Sequence, residues 1–203
     1  EGCAVCLADL DLEASQAIAA KIQADGGQAM AVRLDVRNSA QWNGAVTDAE
    51  RAFGHLDTLC TFAGANHRVS FDAQTEEMWR RILDINLTGS FLGTKAMIPA
   101  LRRAGGGVIL FTGSLGSLRQ GAGSPAYGVS KAGLVALTRS TAASYAGDNI
   151  RCVLVNPGHV DTPFIRGNAP HSPNDESTSI DNPENYKRRV AGTPLGRMTM
   201  PDD

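Results

Sequence analysis

Little in this chain is extreme, and what is missing narrows its function first. An excess of one charge is missing: 19 Lys and Arg stand against 21 Asp and Glu over 203 residues, a formal net charge of −2. That balance offers no attraction to nucleic acid or to an anionic membrane, so neither is expected as a partner. No apolar run approaches the roughly 20 residues that cross a bilayer. The opening residues, Glu1-Gly2-Cys3-Ala4-Val5, lack the basic start and apolar stretch of a secretion signal. A cytoplasmic location is the default expectation. Metal-ligand spacing is missing too, since His55, His67, His159 and His171 are scattered and Cys3-Ala4-Val5-Cys6 is not repeated. No metal is therefore expected. Cys3, Cys6, Cys60 and Cys152 all fall in short apolar runs, and free, buried thiols acting as small hydrophobes are expected there. There is no repeat of solenoid period, no low-complexity tract and no clear second domain, so residues 1–203 are expected to form one domain.

What is present is an alternation. Short apolar runs at Cys3 to Ala8, Ala29 to Leu34, Leu56 to Phe62, Val108 to Phe111 and Ile150 to Val155 suit strands of a parallel sheet buried on both faces. Helical stretches lie between them. Leu12 to Ala24 follows an Asp11 cap and stops at Gly26-Gly27; Ser39 to Phe53 stops at Gly54. Glu76 to Arg103 reads as one long helix, or as a helix with an irregularity near Gly89 or Pro99, and Ala126 to Tyr145 follows Ser124-Pro125. Strands alternating with helices predict an α/β fold, a Rossmann-like doubly wound parallel sheet with helices on both faces. After Val155 the pattern stops. Asn156 to Arg197 is rich in Pro, Asn, Ser and Gly, with only Asn185 to Val190 hinting at a short helix. A loop of that length in a compact domain is usually functional, and residues 164–190 are expected to cover a substrate.

The chemistry-bearing signal is Tyr127-Gly128-Val129-Ser130-Lys131. Positions i and i+4 of a helix share a face, so phenol and ammonium point into one site. A tyrosine of reference pKa roughly 10 is a poor base at neutral pH. A neighbouring cation stabilises the phenolate and makes it usable as a general base. Such a pair on its own most often marks a solvated helix face, but here it has company. Ser114 follows the apolar run Gly107 to Thr112, at the carboxyl edge of a strand, where ligands of open parallel sheets bind. Asn86 lies on the long helix before that strand, and Asn156-Pro157-Gly158-His159-Val160-Asp161-Thr162-Pro163 directly follows the next strand.

In these residues and their order the chain resembles the short-chain dehydrogenase/reductase family, in its classical branch, along its whole length. Asn86, Ser114, Tyr127 and Lys131 match that family's catalytic tetrad. The resemblance implies Tyr127 as general acid/base on the substrate oxygen and Ser114 as its hydrogen-bonding partner. It implies Lys131 as the group that depresses the tyrosine pKa and binds the nicotinamide ribose, and Asn86 as holder of a water in the proton relay. A hydride leaves a carbinol carbon only as its hydroxyl proton is taken, and the cofactor performs the hydride transfer itself. Asp9 ends the first strand where the family places its ribose-reading residue. A carboxylate there favours NAD over NADP, with Leu10, Asp11 and Leu12 following instead of a cation. Asp35-Val36 resembles the adenine contact, Ala63-Gly64 the backbone closing on the adenosine ribose, and Pro157, Gly158, Val160 and Thr162 the segment holding the carboxamide. The implied partner is a small-molecule alcohol or ketone. A homotetramer or dimer is implied through the helices 76–103 and 126–145, the second of which carries the small residues Ala132, Gly133, Ala136, Ala142 and Ala143.

The sequence departs from the family in two places. Thr61 and Phe62 stand where two asparagines usually precede the Ala-Gly turn, and no Gly-x-x-x-Gly-x-Gly loop follows a strand. In the doubly wound order 3-2-1-4-5-6 the chain begins at the second strand, so its first two strands lack the partner that would join them to the rest. An internal fragment, incomplete at both ends and short of about 30 residues at its start (one βα unit), is the expectation, and such a fragment alone is expected to be inactive. Three other readings remain open. An epimerase or dehydratase of the extended branch would carry a longer C-terminal substrate domain. An NADP-dependent 3-oxoacyl-type carbonyl reductase is disfavoured by Asp9. A non-catalytic dinucleotide-binding sensor would have lost the base that this chain keeps.

Overall fold

The computed structural model describes residues 2–119, 123–166, 173 and 177–203. Three stretches of chain, Glu1–Ala63, Thr88–Phe111 and Leu137–Val153, make one compact unit, and the stretches Gly64–Leu87, Thr112–Ala136 and Leu154–Asp203 make a second.

In unit 1, strands β1 (Val5–Asp9) and β2 (Ala29–Arg33) pair in parallel, with Val5 opposite Ala29 and Asp9 opposite Arg33. Helix α1 (Leu12–Ala24) joins them. It starts where the Asp11 carboxylate accepts from the Ala14 N–H at 3.0 Å, satisfying a donor the first turn leaves orphaned. It stops at Gly26, which holds a left-handed φ of 84°. Helix α2 (Ser39–Phe53) is built the same way, capped by Asn38 and ended by Gly54 at φ 83°. Strands β3 (Thr58–Thr61), β4 (Gly107–Thr112) and β5 (Ile150–Val155) form a second sheet in that order, β3 and β4 running parallel. The described strands thus fall into two ladders, β1–β2 and β3–β4–β5. The core of this unit is apolar: Leu34, Leu101, Ile109 and Phe111 are fully buried. The Trp42 indole lies against Gly93, where a β-carbon would come within 2.7 Å of the ring.

Two expectations about this unit are corrected. The strands are not buried on both faces. In β3 the burial alternates, Leu59 and Thr61 inward and Thr58 and Cys60 outward, because a strand covered on one face buries only every second side chain. For the same reason the thiols are free but not buried. Cys3, ahead of β1, and Cys60 are exposed, and Cys6 and Cys152 are half-exposed.

Of the two readings of residues 76–103, one long helix or a helix with an irregularity near Gly89 or Pro99, the structure has the second. Helix α3 (Glu76–Leu83) passes into a π turn at Asp84–Thr88, and helix α4 (Gly89–Arg103) resumes from it. The irregularity ends at Gly89; Pro99 is accommodated inside α4. Such single-turn widenings gather at functional sites. Helix α5 (Pro125–Tyr145) starts on its proline, which lacks only an N–H that the first turn would orphan anyway. Of its small residues Ala132, Ala136 and Ala143 stay exposed, while the Leu87 side chain fills the space over Gly133.

Unit 2 has few strand residues and more connecting chain. The Asn185 to Val190 hint is helix α7 (Pro183–Ala191), and a single turn, α6 (Pro163–Arg166), precedes it. The expected covering loop, residues 164–190, therefore carries two helical segments; its residues 167–172 and 174–176, His171 among them, lie outside the described residues. Two apolar clusters hold the unit: Ala65, Ile82 and Ala126 with Trp79, Ile85 and Tyr127 around them, and Ile165, Ile180 and Met198 with Phe164 and Val190. No described helix is long and apolar enough to cross a membrane.

Candidate active site

Unit 2 contains all four tetrad positions. Ser114 sits two residues beyond β4, where Asn156, the first residue after β5, fixes it. The Asn156 Oδ1 accepts from the Ser114 N–H at 3.0 Å and from the Ser117 hydroxyl at 2.9 Å. Gly113 is required beside it, since a β-carbon there would meet that same oxygen at 2.1 Å. The Ser114 Oγ accepts from the Gly116 N–H at 3.0 Å as the cap of a short 3-10 turn, Leu115–Ser117. Its hydroxyl acts on the Tyr127 phenol and lowers its pKa. The sequence reading treated Asn156 only as part of a Pro-Gly segment; its position directly after a strand and 42 residues from Ser114 gave no local signal.

Tyr127 occupies the first turn of α5, its ring 6.4 Å from that of Phe164. Burial raises its phenol above the ordinary tyrosine value, while the Ser114 hydrogen bond and the Arg68 charge pull it back down. One turn on, Lys131 is 5% exposed. Its Nζ donates to the Thr112 carbonyl at 2.6 Å and stands 5.7 Å from the Tyr127 ring centre. Burial brings this ammonium down to about 8. An ammonium has three donors, so this single bond leaves others for a ligand. The cation whose charge reaches the phenol here is Arg68, a residue the sequence reading did not single out because it belongs to no spaced motif.

Asn86 lies in the π turn rather than on a regular helix, and it is 1% exposed. Its Oδ1 accepts from the Ala65 N–H at 2.7 Å. Its Nδ2 donates to the Ala65 carbonyl and to the Ser130 hydroxyl, each at 2.9 Å. Ser130 in turn donates to the Tyr127 carbonyl at 2.7 Å. Both amide protons are thereby committed, and the chain of bonds from Ala65 through Asn86 and Ser130 ends on the backbone of Tyr127.

The other predicted contacts divide between the units. In unit 1, Asp9 ends β1 with an exposed carboxylate whose Oδ1 accepts from the Asp11 N–H at 3.0 Å; the helix cap is supplied by Asp11, not by Asp9. The Asp35 carboxylate is gripped by the Arg37 guanidinium at 2.6 to 3.2 Å, which holds it below the usual carboxylate range. Val36 gives its carbonyl to the Trp42 indole N–H at 2.9 Å, and Ala63 is exposed. In unit 2, Gly64 is half-buried. The Pro157 carbonyl accepts from the Leu115 N–H at 3.0 Å. Gly158 faces the Leu115 side chain, Val160 bridges to Thr199, and the Thr162 carbonyl accepts from the Ile165 N–H at 3.1 Å. An exposed carboxylate at a strand end suits a ribose diol, and so do the spare donors of Lys131. Each set, taken within its own unit, fits a ribose of a nicotinamide dinucleotide: Asp9 in unit 1, and Lys131 with Tyr127 in unit 2.

Comparison with known proteins identifies the family and the fold. The family model of the short chain dehydrogenases matches residues 1–172. A 2,5-dichloro-2,5-cyclohexadiene-1,4-diol dehydrogenase, LinX of Sphingobium indicum, is 34% identical over all of this chain and 76% of its own length. The cyclopentanol dehydrogenase of Comamonas testosteroni is 32% identical over 99% of this chain and 76% of its own. Among solved structures, that of gox2181 superposes with a TM-score of 0.87 at 30% identity, over 98% of this chain and 74% of that one. These neighbours share the Rossmann-like α/β fold.

Proposed function

The chain belongs to the short-chain dehydrogenase/reductase family, and we propose that it is an NAD-dependent oxidoreductase interconverting an alicyclic secondary alcohol and its ketone. The observation that carries this reading is the buried Lys131 ammonium, 5.7 Å from the ring centre of Tyr127 one helical turn away, with Ser114 acting on the same phenol. The relatives named above act on cyclic alcohols and diols, which supports the alicyclic substrate class.

In this reading the Tyr127 phenol exchanges the proton of the substrate hydroxyl. Its raised pKa keeps it protonated at neutral pH, as protonation of a ketone oxygen requires; oxidation of the alcohol needs the lowering effect of Ser114 and of nearby cations. Ser114 donates to the substrate oxygen and stabilises charge developing there. Lys131 binds the nicotinamide ribose with the donors that Thr112 leaves free. Asn86 serves by position, holding the Ala65 backbone and, through Ser130, the Tyr127 backbone. Asp9 reads the adenosine ribose and selects NAD by repelling a 2′-phosphate. NAD, when bound, supplies the hydride acceptor.

The test follows the absorbance of the reduced nicotinamide with cyclopentanol and cyclohexanol, using the intact protein and either NAD or NADP. Turnover with NAD is expected, and in Tyr127→Phe a fall of about 10³-fold, within the usual range for loss of a positioned proton donor. Turnover that survives in Tyr127→Phe would remove Tyr127 from the chemistry, and equal rates with NADP would remove Asp9 from the selection.

A further inference from the structure

Beyond the end of β4, three successive N–H groups are met from the end of β5 and the residues after it. The Gly113 N–H donates to the Val155 carbonyl at 2.7 Å, and the Leu115 N–H to the Pro157 carbonyl at 3.0 Å. In a ladder every second N–H faces a given neighbour, so the Ser114 N–H between them has no carbonyl rung of its own. The Asn156 Oδ1 takes that place at 3.0 Å. The same oxygen lies 2.9 Å from the Ser117 hydroxyl, which is itself 2.5 Å from the Ser114 carbonyl. One amide thus reaches Ser114 from both ends, at its N–H directly and toward its carbonyl through Ser117. Both contacts are made by the amide oxygen. The space beside it is filled as well. A β-carbon on Gly113 would meet Oδ1 at 2.1 Å and the Leu154 side chain at 3.1 Å, so the glycine is what lets the amide stand there.

A hydroxyl donor stabilises a reaction only where it meets the charge that develops, and a misplacement of about 1 Å costs on the order of 10²-fold. Ser114 stands two residues past its strand, in extended backbone ahead of a three-residue turn. Its Oγ already accepts from the Gly116 N–H at 3.0 Å, so the direction of the hydroxyl follows from where the Ser114 backbone is held. We propose that Asn156 is the positioning residue of the Ser114 hydroxyl: with Gly113 clearing its place, the Asn156 Oδ1 fixes the Ser114 backbone and so aims Oγ at the reacting oxygen. This inference rests on the reading of Tyr127 as the acid/base and of Ser114 as donor to the substrate oxygen. Asn156 acts through Ser114 in it, and a side chain fixed by two bonds of this kind has few substitutes.

The experiment compares steady-state kinetics of the intact protein and of Asn156→Ala with cyclopentanol and NAD. In the variant kcat is expected to fall about 30- to 100-fold, the cost of a misplaced donor. The KM for NAD should stay within about threefold, because the donor acts in the transition state and not in cofactor binding. The limb of the pH profile of kcat/KM set by Tyr127 should move up by about one pH unit, since Ser114 lowers that phenol while the charges of Arg68 and Lys131 are untouched. Gly113→Ala should lose as much by pushing the same amide aside, and the double variant no more than either single one. Asn156→Asp keeps an acceptor oxygen and should stay within about fivefold of the native kcat. Additive losses would overturn the inference, as would a native kcat in Asn156→Ala or a loss in Asn156→Asp equal to that in Asn156→Ala. A rise in the KM for NAD alone would assign Asn156 to the Pro157-Gly158 segment instead, and so would also overturn it. If the native protein turns over neither cyclopentanol nor cyclohexanol, the dehydrogenase reading fails, and NMR titration of the labelled Tyr127 phenol carbon, assigned with Tyr127→Phe, still decides the inference. An upward move in Asn156→Ala upholds it; an unchanged titration refutes it.

Discussion

The two units are held together by different means. Unit 1 buries Leu34, Leu101, Ile109, Phe111 and Trp42, and two of its buried hydroxyls bond close by: Ser15 to the Asp11 carbonyl and Thr94 to the Ser90 carbonyl, each four positions back. Unit 2 buries Asn86, Ser130 and Lys131, whose bonds reach much further, 21 positions from Asn86 to Ala65 and 44 from Asn86 to Ser130. Apolar burial is forgiving, since a neighbour of similar volume serves nearly as well. A buried amide is not, because each of its partners is left unsatisfied when it goes. The unit that holds the candidate site is therefore the one with the narrower choice of residues.

The largest effect should come from Asn86→Ala. Three buried bonds are lost and the Ala65 N–H and carbonyl are orphaned, a cost of about 4 to 5 kcal/mol. The chain has two tryptophans, one in each unit, and Trp79 packs on the cluster that contains Ala65. Its fluorescence in a Trp42→Phe background reports unit 2 during urea unfolding. Asn86→Asp should fall between, because a carboxylate still accepts from the Ala65 N–H but cannot donate to Ser130. A cost below about 1 kcal/mol for Asn86→Ala would break the distinction between the units. Next is Trp42→Ala, which empties the space under Gly93 and should cost about 3 to 5 kcal/mol by circular dichroism. Trp42→Phe keeps most of the ring and loses the bond to the Val36 carbonyl, so it should cost far less.

The same difference governs what could be read from the sequence. Local signals place α1 at Leu12–Ala24 and α2 at Ser39–Phe53, because their caps and their glycine stops lie within a few residues of the helices. Ile150–Val155 is equally plain as a strand. Burial on both faces was not a safe inference from an apolar run, since Cys60 shows that such a run also serves a strand covered on one side. In the site, Ser114, Tyr127 and Lys131 are legible because a helical spacing and a strand end mark them. Asn156 and Arg68 are not. Their partners are supplied by distant parts of the chain, and no periodicity in the sequence points to them.

A third test uses pH. Lys131 is held at about 8 by burial, against an ordinary 10.5, so between these values the unfolded chain binds the proton that the native state has released. Native stability should therefore rise from about pH 8 toward pH 10, by on the order of 3 kcal/mol in full. Above roughly pH 10 the rise should be opposed, because Tyr127 is shifted upward and the unfolded phenol ionises first. Urea midpoints at pH 7.5 and 9.5 for the native protein and for Lys131→Met would show it. The gain should vanish in the variant, and a gain of equal size in both would mean that the ammonium is not desolvated.

The smallest effect separates two explanations of the contrast between the units. Arg103 and Glu50 form a bidentate pair at 2.7 and 2.8 Å across 53 positions of sequence, a longer reach than any bond of Asn86 given above. The pair differs from Asn86 in exposure, with 58% of the Arg103 side chain accessible to solvent. If long reach in sequence made a polar contact indispensable, Arg103→Ala would rank beside Asn86→Ala. If burial does, water replaces the lost partner on either side and the urea midpoint of Arg103→Ala should be indistinguishable from that of the native protein. A double-mutant cycle with Glu50→Ala should give a coupling that fades as salt is added. A large, salt-insensitive coupling would instead place this surface pair in the same class as the buried amide.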